Sequence, residues 1–110
     1  MRFRIVALRR AERDFRDIVR WLAGRSLAGA SAWVRAYDKL LLRLEGNADT
    51  FPLAEESELF NYEIREAVLK TRRGLPYRLV FTIVGDQVRL LRVRGPGQSD
   101  LTPDDVDPDP

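Results

Sequence analysis

The chain contains no cysteine and no histidine. The first absence excludes disulfides and thiolate nucleophiles. The second excludes Ser-His triads and imidazole proton transfer, and together they remove the ordinary ligands of a zinc site. Long apolar runs are missing too. The opening MRFRIVALRR is too interrupted by arginine for a signal peptide or a membrane span. No P-loop, GxGxxG motif or internal repeat occurs. These absences predict a cytoplasmic protein that uses neither metal nor cofactor and stays off the membrane.

What is present suits one small domain. The 110 residues are 45% hydrophobic and 33% charged, a globular balance rather than a disordered one. At this size roughly two-thirds of the unfolded surface can be buried, enough for a core without staples. The net charge of +2 hides an asymmetry. Residues 1–97 hold 19 basic and 12 acidic groups, a balance of +7, whereas residues 98–110 hold five aspartates and no base. Seventeen of the bases are arginine, whose planar fork suits phosphate and carboxylate. High-GC coding also raises arginine content. A basic body predicts a polyanionic or acidic partner. Residues 98–110 read as a flexible acidic tail that can also fold back and screen the body.

Hydrophobic periodicity places the elements. Residues 2–7 read as a short strand. Ala11, Phe15, Ile18 and Leu22 recur at helical spacing over 8–24, with Gly24 as a stop. Ser26 is placed to cap a second helix over about 27–45, whose stripe is Trp33, Tyr37, Leu40, Leu41 and Leu44, ended by Gly46 and Asn47. The two helices form an αα-hairpin, with Trp21, Trp33 and Tyr37 read as packing residues. Residues 47–61 are a connector in which Pro52 can open a short helical turn. Three strands follow at 63–69, 77–84 and 87–94, the last pair joined by a tight turn at Gly85-Asp86. The expected fold is α+β: a short N-terminal strand, a helical hairpin, then a three-stranded antiparallel meander. Residues 1–97 make the domain and 98–110 the tail.

Basic residues concentrate on the meander: Arg65, Lys70, Arg72, Arg73, Arg78, Arg89, Arg92 and Arg94 against Glu63, Glu66 and Asp86. Strand alternation puts Arg92 and Arg94 on one face and Arg89 on the other. A hairpin centred on Gly85-Asp86 sets Arg78 opposite Val93. Clustered like charges require compensation, either internal pairing with Glu63, Glu66 or Asp86 or an anionic partner. Arg65, Lys70, Arg72, Arg73, Arg78, Arg92 and Arg94 are therefore the candidate target- or phosphate-binding residues.

The order of elements resembles the ParE/RelE family of bacterial type II toxins. The likeness spans residues 2 to about 96. It is carried by Ala11-Glu12-Arg13-Asp14 with Ile18 and Trp21, by Phe51-Pro52-Leu53, by Arg65, by Tyr77-Arg78-Leu79-Val80-Phe81, and by Val88 to Arg94. The resemblance implies a growth-inhibiting toxin neutralised by a cognate antitoxin. ParE-like members inhibit DNA gyrase without catalytic residues; RelE-like members cleave mRNA on the ribosome. Arg78 matches the arginine of the family's Tyr-Arg strand motif. RelE-like nucleases also use an arginine and a tyrosine after the last strand. Here that stretch is Gly95-Pro96-Gly97-Gln98-Ser99-Asp100, and Arg94 stands where many members place histidine. These departures favour the ParE-like reading. The nuclease alternative rests on Arg65, Lys70, Tyr77 and Arg78, with Tyr62 a further acid candidate; arginine itself stays protonated and is no ordinary base. A relative that only binds its partner is the third reading.

Overall fold

The computed structural model describes residues 2–108. Strand β1 (Arg4–Ala7) leads into α1 (Arg9–Arg25) and α2 (Leu27–Asn47). Strands β2 (Arg65–Leu69), β3 (Tyr77–Val84) and β4 (Gln87–Arg94) form the meander. Short 3₁₀ turns occupy Ala48–Thr50, Glu55–Leu59 and Pro103–Asp105. The expected α+β layout is present, with one addition. The sheet order is β1-β4-β3-β2, and β1 joins the meander as a parallel neighbour of β4. Parallel pairing needs a long crossover, and everything from α1 to β3 supplies it.

A single serine divides the helices. The Ser26 N–H donates to the Leu22 carbonyl and closes α1, while its hydroxyl accepts from the Gly29 N–H at 3.0 Å and opens α2. Gly24 therefore lies within α1 and does not end it. Gly46 and Asn47 likewise belong to the last turn of α2, which passes directly into the 3₁₀ turn at Ala48.

Both faces of the sheet are covered, which explains why β3 buries four consecutive residues, Leu79 to Thr82. On one face Leu79, Phe81, Val88, Leu90 and Val93 pack beneath Trp33, Tyr37, Leu40 and Leu44 of α2 and Ala11 of α1. Phe15, Trp33, Tyr37 and Tyr77 make a linked aromatic cluster with centroid separations of 4.6–5.7 Å. On the other face Val80 and Leu91 pack with Ala54, Ile64, Leu101 and Val106. Residues 98–108 thus lie against the sheet, with Leu101 and Val106 buried, where the sequence alone suggested a flexible tail. Asp109 and Pro110 lie outside the described residues. Trp21 departs from its expected packing role: it is 57% exposed.

A β-bulge corrects the expected register. From Val84–Gln87 to Phe81–Leu90 the hairpin follows the simple count, but the pairing shifts between Val80 and Phe81. Leu91 is the extra residue, so Arg78 sits opposite Arg94 rather than Val93. The bulge also resets the alternation. Val88, Leu90 and then Val93 face the helices, while Leu91 faces the second cluster. The parity argument that separated Arg89 from Arg92 and Arg94 does not carry across it.

Candidate functional site: the arginines of the meander

The seven candidate residues fall into two groups. Arg78, Arg92 and Arg94 lie on the tail-covered side and are held by internal contacts. Arg78, on β3, donates Nη1 to Glu56 Oε1 at 3.0 Å and to Glu66 Oε1 at 2.8 Å, and Nη2 to Glu56 Oε2 at 2.5 Å. Glu66 reaches it from β2. Glu56 reaches it from the 3₁₀ turn that follows Pro52, where its side chain is nearly sealed from solvent. The same carboxylate accepts the Leu101 N–H at 3.0 Å, so it ties β3 to the returning tail. The Arg78 hydrogen bond, outweighing burial, holds the Glu56 carboxyl down at about 2. Reciprocally, Glu56 raises the Arg78 guanidinium above its ordinary value.

Arg92 has an equally specific setting. Past Ala7 the chain leaves the edge of β4 to begin α1, and Asp14 takes over that edge. Its carboxylate accepts Arg92 Nε at 2.7 Å, Arg92 Nη2 at 3.0 Å and the Val93 backbone N–H at 2.9 Å. The bidentate geometry is the strong form of this pair. The remaining Arg92 Nη1 donates to the Asp105 carbonyl at 2.7 Å. Arg94 donates to the Ser99 carbonyl at 2.8 Å, and its buried Nε has no partner. Arg10, on α1, clasps the far end of the tail by donating to the Asp104 and Val106 carbonyls.

The other four residues lie elsewhere. Arg65, on β2, donates to the Phe51 carbonyl, and Glu63 stands 4.0 Å away. Lys70 donates to the Thr71 carbonyl at 3.2 Å, in the β2–β3 loop. Arg72 and Arg73 share that loop, are exposed, and have no ion-pair partner among the described residues. Internal pairing was expected from Glu63, Glu66 and Asp86. Only Glu66 bonds Arg78 directly, and Asp86 serves instead through its carbonyl, which accepts the Arg4 N–H. Glu56 and Asp14 were missed as partners. The acidity of 55–58 and the Glu12-Arg13-Asp14 run were visible, but the pairings span 22 and 78 residues.

Two open clefts of about 690 Å³ flank β2. One contains Tyr77, Arg78 and Arg94 together with Glu55, Glu66 and Asp100, so an anion entering it meets carboxylates as well as guanidinium groups. The other contains Tyr62, Arg65 and Thr82. Arg65 and Arg78 are thus in different clefts, and Lys70 lines neither. Burial pushes the Tyr62 and Tyr77 phenols up from their ordinary value, away from the neutral range. The arrangement holds cations in fixed positions beside carboxylates and suits recognition better than proton transfer.

The fold and its paired arginines define a class: a helical hairpin on a short mixed sheet with a basic, carboxylate-braced meander. Within that class the chain belongs to the ParE toxin family, described as the ParE toxin of the parDE type II toxin-antitoxin system, whose family model matches residues 5–98. Among solved structures, the chain resembles one from the chromosomal ParDE toxin-antitoxin system of P. aeruginosa, with a TM-score of 0.60 and 21% identity, covering 84% of this chain and 94% of the other. That likeness is one of fold. No curated protein matches the chain. No helix among the described residues is long and apolar enough to cross a membrane.

Proposed function

We propose that this ParE-family chain is a cytoplasmic toxin that arrests growth by binding DNA gyrase and is neutralised by a cognate antitoxin. The observation that carries the reading is the family match across residues 5–98. The setting of Arg78 supports a binding mode over a nucleolytic one. An arginine serving a cleaved phosphate must be free to reach it, whereas Arg78 is bonded to both Glu56 and Glu66.

The test is plasmid supercoiling by purified gyrase in the presence of the purified chain, paired with viable counts after induction of the chain alone. Inhibition that saturates with added chain, together with loss of viability, is the expected result. Loss of viability with normal supercoiling and cleaved translated mRNA would replace gyrase with the ribosome. Undiminished growth with soluble chain would leave a relative that only binds its partner.

A further inference from the structure

The solvent face of α1 carries a ridge of one charge sign that neither the sheet nor the tail uses. Arg9, Arg13, Arg16 and Arg20 follow one another at intervals of four, three and four residues. At about 100° per residue they fall within an arc of about 60° and span about 16 Å along the axis. The ridge lies opposite Ala11 and Phe15, which face the core, and all four arginines are exposed. Arg16 stands 3.9 Å from Glu12. Arg9, Arg13 and Arg20 have no ion-pair partner among the described residues. Arg10 is off this ridge and is the arginine of α1 that the tail takes up.

This arrangement works against the helix that carries it. Like charges three and four residues apart repel, and the ridge holds three such neighbours in succession. Arg9 also stands in the first turn of α1, where the helix dipole disfavours a cation. Folding therefore gives no reason for the ridge, whereas an anionic partner does. The centre of a protein–protein interface is depleted of charge and anchored by aromatic side chains, and the ridge carries none. Single-stranded nucleic acid calls for aromatic stacking platforms, which the ridge also lacks. A duplex backbone needs only cations at fixed intervals. B-form DNA presents a phosphate about every 3.4 Å along each strand and a major groove wide enough for a helix, whereas the A-form groove of duplex RNA is deep and narrow. Arginine forks match the phosphate oxygens.

We infer that the arginine ridge of α1 binds the phosphate backbone of duplex DNA without regard to sequence. The inference goes beyond the proposed target and does not depend on that target being gyrase. Its driving force is the release of counterions from the phosphates, so four contacts imply a slope of about −3.6 for the logarithm of affinity against the logarithm of salt concentration.

The test is the fluorescence anisotropy of a short labelled DNA duplex of mixed sequence, titrated with the full chain over a range of salt concentrations. Two double variants are compared with it. Arg13→Gln with Arg20→Gln breaks the ridge and removes all three like-charge neighbours. Arg4→Gln with Arg89→Gln removes the same charge from β1 and β4. The expected result is binding by the native chain, at least about tenfold weaker binding by the ridge variant and a salt slope shallower by about two. The strand variant should stay within about threefold of the native chain, because its charges lie off the contact. The ridge variant should melt at the native temperature or above it, since glutamine is a good helix former and the repulsions are gone. Equal weakening by the two variants would overturn the assignment by making net charge the whole cause. Native affinity in the ridge variant, or no binding by the native chain at low salt, would overturn it outright. A lowered melting temperature in the ridge variant would overturn it by giving the arginines a structural role. Tighter binding of duplex RNA of the same sequence would overturn the choice of DNA.

Discussion

The two faces of the sheet are built on different principles. The helix-covered face is an aromatic and aliphatic core, closed by residues from two long helices and from all four strands. The tail-covered face has six buried apolar residues and is completed by polar clasps: Glu56 on Arg78 and Leu101, Asp14 on Arg92 and Val93, and Arg10 on the tail carbonyls. Apolar packing is non-directional and scales with area. The clasps are directional, depend on charge and involve partners distant in sequence. The first face secures the fold, and the second fixes where the arginines of the meander point.

Removing a ring from the helix-covered face should have the largest effect. Phe81→Ala deletes a fully buried side chain that meets the Phe51 ring edge-on, and should cost about 3–5 kcal/mol in denaturant unfolding. A smaller loss would show that the aromatic face can collapse into the gap. Next comes truncation after residue 97. It removes the buried Leu101 and Val106 and should cost about 3 kcal/mol, from the usual value of burying two such side chains discounted for the ordering of the tail. Unchanged stability would mean that the tail is detached in solution. The truncated chain should also bind polyanions more tightly, through the loss of five negative charges and the release of Arg94 from the Ser99 carbonyl and of Arg92 Nη1 from the Asp105 carbonyl, with a steep salt dependence.

Third is Glu56→Gln, which leaves Arg78 with Glu66 alone and should cost about 2 kcal/mol, below the usual figure for breaking a buried pair because Arg78 is partly exposed. This variant also carries a pH signature. The Glu56 carboxyl is held at about 2 against an ordinary 4.5, so its contribution is fully present above 4.5 and is lost as pH falls toward 2. Unfolding midpoints of the native chain should drop through that window, and those of Glu56→Gln should drop less. Parallel curves would place the acid sensitivity in other carboxylates. The smallest effect belongs to Trp21→Ala. As an exposed side chain outside both clusters it should change stability by no more than about 0.5 kcal/mol, while Trp33→Ala, in the same helical hairpin but 2% exposed, should fall in the range of Phe81→Ala.

The difference between the faces also explains what the sequence disclosed. Strands β3 and β4 were legible to the residue, because alternation, β-branched content and the Gly85-Asp86 turn agree, and Gly85 takes the positive φ of 62° that such a turn requires. Ser26 was legible as a cap because its partner is three residues away. The helix ends at Gly24 and Gly46 were misplaced because glycine permits a stop without enforcing one; the caps at Ser26 and Ala48 decide. The bulge at Leu91 escaped notice because it answers a tertiary demand. Leu91 must reach Val80 and Ile64 on the tail side while Leu90 and Val93 stay under the helices. The arginine site was half legible. Composition singled out the residues, but the carboxylates that hold them come from α1 and from the connector, and no local pattern encodes such pairings.

Strand β1 has one partner in the sheet, and that partner is the last strand. Arg4 is in register with Gln87, so the first strand to leave the ribosome waits for roughly 80 residues of further synthesis before it can pair. The helical hairpin, whose contacts are local, can form long before then. A chain interrupted before β4 therefore has helices but no closed sheet, no edge for Asp14 to cap and no hairpin to set Arg78 against Arg94. On the proposed reading of a growth-arresting chain this timing is protective: the complete basic surface exists only once synthesis is nearly finished, and aborted products are left without it.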